Sequence, residues 1–255
     1  MKNVLVIMIL IAFQGQSQSY TVIHTIGKIY DTQSGTYLSK GSKVSENATL
    51  KFETDGAKAA VLSSSRGRFV IKQNGTSSSQ SDAAYVLTSV ISPVRGRLST
   101  RAGSINNTLD FQKHFNEGSI ALLGRSYRVT VSSTGFPMTE SRFFYVQYEY
   151  EGETINKKLS SDEDNLVINL NNFFSIDGNA IDPSAISDAR LHYYDASKGS
   201  SKFITDMDIT YVSDEILRSM LDQFEEDKET AVLEIINSMY GKCSEDQLKE
   251  AISQL

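Results

Sequence analysis

Phe143 to Tyr150 reads Phe-Phe-Tyr-Val-Gln-Tyr-Glu-Tyr, the strongest strand signal in the chain. Aromatic and β-branched side chains fill it, the residue types that suit a pleated, half-buried surface. Glu151-Gly152 follows as a hairpin turn, and Thr154 to Leu159 continues as the returning strand. Nearby, Ile120–Leu123, Tyr127–Val131, Leu166–Leu170 and Ile209–Val212 carry the same apolar character between turn residues. Residues 115–212 therefore read as a β unit, a sandwich or an extension of a first sheet.

That first sheet is expected over residues 20–72. Ala48, Leu50 and Phe52 alternate with polar neighbours, and Ala57, Ala59 and Val61 repeat the pattern. Asp31-Thr32-Gln33-Ser34-Gly35, Lys40-Gly41 and Arg66-Gly67 supply turns. Period-two patterning between regular turns predicts an antiparallel sheet with one buried face. The period changes after residue 212. Ile216, Leu217, Met220, Leu221 and Phe224 share a helical face, as do Ala231, Val232, Ile235, Ile236 and Met239, and then Leu248, Ala251, Ile252 and Leu255. Ser213 is placed to cap the first helix, Gly241 to close the second, and Ser244-x-x-Gln247 to form a capping box on the third. The fold class is mainly β: one or two antiparallel β units, sandwich or small barrel-like, followed by a short C-terminal α-helical subdomain. The boundaries read as 1–19, 20–72, 73–114 (linker and Arg/Gly-rich loop), 115–212 and 213–255.

The first segment is an address. After Met1-Lys2-Asn3, Val4 to Phe13 is an unbroken apolar run, and Gln14 to Ser19 is small and polar. This is the layout of a secretory signal peptide. The run is too short to span a bilayer, which takes roughly 20 apolar residues. Cleavage before Gln18 or before Tyr20 fits equally, and leaves no stable membrane span. The expected location is periplasmic or secreted. The chain has a single cysteine, Cys243, so no internal disulfide framework is expected. That thiol either pairs with another chain or sits unpaired near a helix start.

Residues 26–71 resemble the FecR-type domain of Gram-negative periplasmic regulators. The matching positions are Ile26-Gly27-Lys28-Ile29, Leu38 to Val44, Leu50-Lys51-Phe52, Ala57 to Val61 and Gly67 to Ile71. The pattern is one of glycines and alternating apolar positions. Those regulators carry an inner-membrane helix and a cytoplasmic part before the domain, where this chain has an export signal. Sigma-factor signalling therefore does not carry over. The resemblance implies a small periplasmic β module used for contacts, without catalysis.

Charge divides along the chain. Residues 51–113 carry nine Lys/Arg against four acids, 114–212 carry eight against fourteen, and 213–255 carry four against eleven. Such a division allows attraction within or between molecules. An acidic total with an export signal argues against nucleic acid as a partner. Arg95, Arg97 and Arg101 lie on the Gly-rich loop and suit carboxylate or phosphate contacts. Tyr145 and Tyr148 of the aromatic strand are the other candidate binding residues.

Catalytic grammar is sparse. His24, His114 and His192 lie far apart without metal-ligand spacing, and no metal or cofactor is expected. H-E-x-x-H, P-loop and G-x-S-x-G patterns are missing. Tyr194-x-x-x-Lys198 has the spacing of short-chain dehydrogenases, but no dinucleotide-binding glycine pattern opens the chain. Asp162-Glu163-Asp164, Asp206-x-Asp208 and Asp177-Gly178-Asn179 with Asp182 lack Ca²⁺-loop grammar. The expectation is a non-catalytic binding or assembly protein of the envelope with a protein partner or self-association. The alternatives are a secreted hydrolase acting on polysaccharide or peptide through a carboxylate pair, and a structural envelope component.

Overall fold

A computed structural model describes residues 19–73, 84–94, 103–115 and 118–255. The expected signal peptide except its last residue Ser19, most of the 73–81 linker and the three loop arginines lie outside these residues. The chain divides into two compact units, with the break between Ile91 and Ser92.

The first unit contains β1 (Ser19–Ile26), β2 (Ile29–Asp31), β3 (Thr36–Tyr37), β4 (Lys43–Ser45), β5 (Thr49–Phe52), β6 (Lys58–Ser63), β7 (Gly67–Lys72), β8 (Ala84–Val86) and the one-turn helix α1 (Leu87–Val90); β9 (Ile91–Pro93) begins at its end. Two sheets form, in the orders β4-β1-β6-β7-β9 and β3-β2-β5-β8. Alternation places Tyr20 and Val22 of β1, Ala59 and Val61 of β6, and Leu50 and Phe52 of β5 in one shared core. Each sheet thus buries one face against the other, as a sandwich requires. The Asp31 turn is built as its composition predicts. Its carboxylate accepts from the Gln33 N–H (2.9 Å) and the Ser34 hydroxyl (2.9 Å). Strand β8 runs directly into α1.

The second unit holds α2 (Thr108–Phe115), β10 (Ile120–Leu123), β11 (Ser126–Thr130), β12 (Arg142–Tyr150), β13 (Glu153–Lys158), β14 (Ser160–Asp162), β15 (Asn165–Asn169), α3 (Leu170–Phe173), β16 (Ser175–Ile176), β17 (Asn179–Ala180), β18 (Ser187–Asp195), β19 (Ser200–Asp206), β20 (Ile209–Val212), α4 (Asp214–Leu221), α5 (Lys228–Met239) and α6 (Glu245–Ser253). The aromatic strand β12 sits inside a four-stranded antiparallel sheet, β13-β12-β18-β19. Its inward residues Phe144, Val146 and Tyr148 meet Phe111 and Phe115 of α2 and Leu170 and Phe173 of α3 in the core. Phe111, Phe136, Phe144 and Tyr193 form a ring cluster with centroids 4.9–5.4 Å apart.

Two features depart from the sequence expectations. The 73–114 stretch, read as linker and loop, contains helix α2, whose Phe111 and Phe115 are fully buried. Two turns give too short a pattern to stand out beside a Gly/Arg/Ser-rich neighbourhood. The sheets are also not all antiparallel, since β10 pairs in parallel with β20, Ile120 opposite Ile209.

The three C-terminal helices form where their periodicity places them. Ser213 accepts from the Ile216 N–H (3.3 Å), and Ser244 and Gln247 close the capping box. They are joined to the β body rather than hung from it. Gly241 follows α5 with φ +126°, and Lys242 then pairs with β10: its N–H donates to the Ser119 carbonyl (2.7 Å), and its carbonyl accepts from Ala121 (3.0 Å). The apolar faces of α4 and α5, including Leu217, Met220, Val232, Ile235 and Ile236, are buried.

Candidate functional site

Two surfaces of the second unit gather chemistry-bearing side chains. The first is the outward face of the four-stranded sheet. Side chains on a strand alternate between faces, so while Phe144, Val146 and Tyr148 enter the core, Phe143, Tyr145, Gln147 and Glu149 point the other way. Register brings neighbours alongside them. Phe143 lies opposite Tyr194, Tyr145 opposite His192 on one side and Lys158 on the other, and His192 opposite Phe203. The rings form two contact groups on this one face. Tyr145 stacks on His192 (centroids 5.0 Å, planes 13° apart), Phe203 meets His192 edge-on (5.7 Å), and Phe143 leans on Tyr194 (5.2 Å). The Lys158 ammonium sits 4.2 Å from the Phe143 centroid, in cation–π contact. Phe203 is 47% exposed, one of the few large apolar side chains so open.

Polar groups edge this face. The Tyr145 hydroxyl hydrogen-bonds the Ser201 hydroxyl (2.8 Å), Gln147 donates to Asn156 (3.2 Å), and Arg190 lies 3.7 Å from Asp206. Burial, aided by the Arg190 charge, lowers the pKa of His192 and favours its neutral form. Its Nε2 is buried without a hydrogen-bond partner among the described residues.

Tyr145 therefore belongs to this face and Tyr148 does not. Tyr148 is fully buried, its hydroxyl donates to the Phe173 carbonyl (2.9 Å), and burial pushes its pKa up to about 12. The two tyrosines are three positions apart, an odd spacing, so the pleat sends them to opposite faces. Arg95, Arg97 and Arg101 lie outside the described residues. Sequence reasoning missed His192, Tyr194 and Phe203. A signal existed for β18: Ala189, Leu191 and Tyr193 alternate with Arg190, His192 and Tyr194.

The second surface is a cleft of about 710 Å³ between α2, β11 and the start of α6, in which Lys113, His114, Tyr127, Arg128, Lys242 and Gln247 converge. At its floor, His114 Nε2 and the Tyr127 hydroxyl lie 2.7 Å apart. Gln247 Oε1 accepts from the Ser244 N–H (2.9 Å). Burial, helped by the Lys242 charge, lowers the His114 pKa to about 4, so the imidazole is neutral at pH 7. Burial also raises the pKa of Tyr127, with a further push from Cys243. Cys243 is 1% exposed and its thiol is pushed up to about 12, leaving it protonated. A nucleophilic cysteine needs the opposite shift.

The acidic runs have structural partners. Asp162 pairs with Arg128 (2.8 Å), Asp206 with Arg190, and Asp182 accepts from the Ser184 N–H (2.9 Å). Among the described residues, no group of three or more His, Cys, Asp or Glu side chains is placed to hold a metal ion. Tyr194 lies on a strand and Lys198 in the turn that follows, not on one helix as the dehydrogenase pair requires. Among the described residues, no helix is long and apolar enough to cross a membrane. No protein-family model matches the chain, and no curated protein matches it.

Proposed function

We propose that this protein is an exported, non-catalytic binding or assembly protein of the cell envelope, and that it holds a protein partner through the outer face of its four-stranded sheet. The observation that carries this reading is the gathering on one sheet face of two ring groups, Phe143 with Tyr194 and Tyr145 with His192 and Phe203, flanked by Lys158 and Arg190. Aromatic side chains and arginine are enriched where proteins meet, because they offer large contact area with a polar edge. The apolar stripes of the C-terminal helices, by contrast, are buried and offer no contact surface of comparable size among the described residues. Export follows from the N-terminal pattern, and the FecR-type likeness of residues 26–71 supports a contact role for the first unit.

The hydrolase alternative needs a carboxylate pair, and of the two carboxylates lining the cleft Asp110 accepts from the Asn106 N–H (2.9 Å) while Asp246 lies exposed in the first turn of α6. The test is capture from an envelope extract with the wild-type chain and with Tyr145→Ser and Phe203→Ser variants. Truncating an interface anchor costs about 2 kcal/mol or more, roughly a thirtyfold loss of affinity. Each variant should lose its partner while keeping the wild-type far-UV spectrum. Undiminished capture by the double variant would exclude this face.

A further inference from the structure

We propose that the cleft between α2, β11 and α6 is a binding site for a small oxyanion, a phosphate or carboxylate group, held by Lys113, Arg128, Lys242 and His114. This site is separate from the aromatic face and its occupancy does not depend on the reading given for that face.

The hydrogen bonds at the floor decide what the cleft presents. Gln247 directs its carbonyl oxygen at the Ser244 N–H (2.9 Å), and its side chain acts on the Tyr127 phenol as a donor group would, lowering its pKa against the effect of burial. Among the described residues the acceptor in reach of the Tyr127 phenol is His114 Nε2, 2.7 Å away, so we assign the phenol as donor and the imidazole nitrogen as acceptor. A neutral imidazole whose Nε2 accepts carries its proton on Nδ1. Nδ1 meets no hydrogen-bond partner among the described residues and is not a buried atom. It is therefore an N–H donor open to the cleft that His114 lines.

Cations surround that donor. Lys242 reaches the C-terminal end of α2, where its ammonium donates to the Lys113 carbonyl (3.2 Å) and the His114 carbonyl (3.4 Å). An ammonium has three donors, so one is left for a ligand. Lys113 is exposed in the last turn of the same helix and forms no ion pair with another of the described residues. Arg128 spends one guanidinium nitrogen on Asp162 and keeps the other edge of its fork. Two carboxylates also line the cleft. Asp110 is occupied by the Asn106 N–H (2.9 Å), and Asp246 lies exposed in the first turn of α6, where the helix dipole favours it. Donors thus outnumber free acceptors, and the match is to an anion with several acceptor oxygens.

The experiment is an amide-resolved NMR titration of the ¹⁵N-labelled protein with inorganic phosphate and with citrate, each against sodium chloride at equal ionic strength. Saturable shifts at His114, Cys243 and Gln247 are expected with at least one of the two. Phosphate alone would indicate a phosphoryl ligand, citrate alone a polycarboxylate, and both the shared oxyanion chemistry. In the K113Q/R128Q double variant the affinity should fall about tenfold or more, because two charge-assisted contacts are removed from exposed positions. Shifts that grow linearly with salt, that match those from chloride, or that survive unchanged in the double variant would overturn the site. So would saturation centred elsewhere. The chloride contrast in the wild-type protein stands even if the double variant unfolds.

Discussion

Replacing Gly241 by alanine should unseat the C-terminal helices from the sheet. Two effects add. The backbone at φ +126° is one that L side chains rarely adopt, and holding one there costs about 1–3 kcal/mol. The new Cβ would also lie 2.2 Å from the Ser119 carbonyl oxygen. Carbon and oxygen settle no closer than about 3.3 Å, so the two segments must part by roughly an ångström. That breaks or stretches the hydrogen bonds from Lys242 to Ser119 (2.7 Å) and from Ala121 to Lys242 (3.0 Å), each worth about 1 kcal/mol. The sum is about 3–5 kcal/mol, a large share of the roughly 5–15 kcal/mol that stabilises a domain. Gly178→Ala is the matched control. It sits at φ +82° in the β16–β17 turn, with nothing within 4 Å of its Cβ position, and bears the backbone cost alone. Amide hydrogen exchange at Ala121 and Lys242 reads the junction, and urea unfolding followed by circular dichroism reads the whole unit. With a urea slope of about 1–3 kcal/mol per molar, Gly241→Ala should unfold about 1 M or more earlier than Gly178→Ala. Equal midpoints for the two variants, or unchanged protection at Ala121, would refute the close-approach reasoning.

Deleting residues 213–255 should unfold the second unit, because β10 loses its Lys242 partner and the body loses the buried helix faces; a dispersed NMR spectrum from the remaining β residues would contradict this. Cys243 should resist a thiol reagent at pH 7 to 8 in the native protein and react at once in denaturant, since the thiol is both buried and protonated; native labelling at the rate of a free cysteine would count against the assigned packing. His114 titrates near 6.5 when unfolded and near 4 when folded, so between these values the unfolded chain holds the extra proton and stability is lost as pH falls. The slope from this one group is at most about 1.4 kcal/mol per pH unit, and His114→Gln should flatten the change in urea midpoint between pH 7 and pH 5; an unaltered pH slope would remove His114 from that role.

Local chemistry was legible in the chain. The turn at Asp31–Gly35, the caps at Ser213 and Ser244, and the strand at residues 143–150 all form where their residues place them. These depend on partners within a few residues, so spacing alone announces them. The candidate sites were less legible. Alternation separates Tyr145 from Tyr148, but which of them meets solvent depends on α2 and α3 covering one side of the sheet. The rings beside Tyr145 come from strands more than forty residues away.

By itself the sequence determined a mainly β chain ending in capped amphipathic helices, because period and caps act over a turn or a strand. Tertiary structure alone decided the parallel pairing of β10 with β20, the seat of Lys242 beside Ser119, and the meeting of His114, Tyr127 and Gln247 in one cleft. Those contacts join segments up to about 130 residues apart. They arise because elements with one apolar face must bury it, and the packing that does so sets which distant side chains become neighbours.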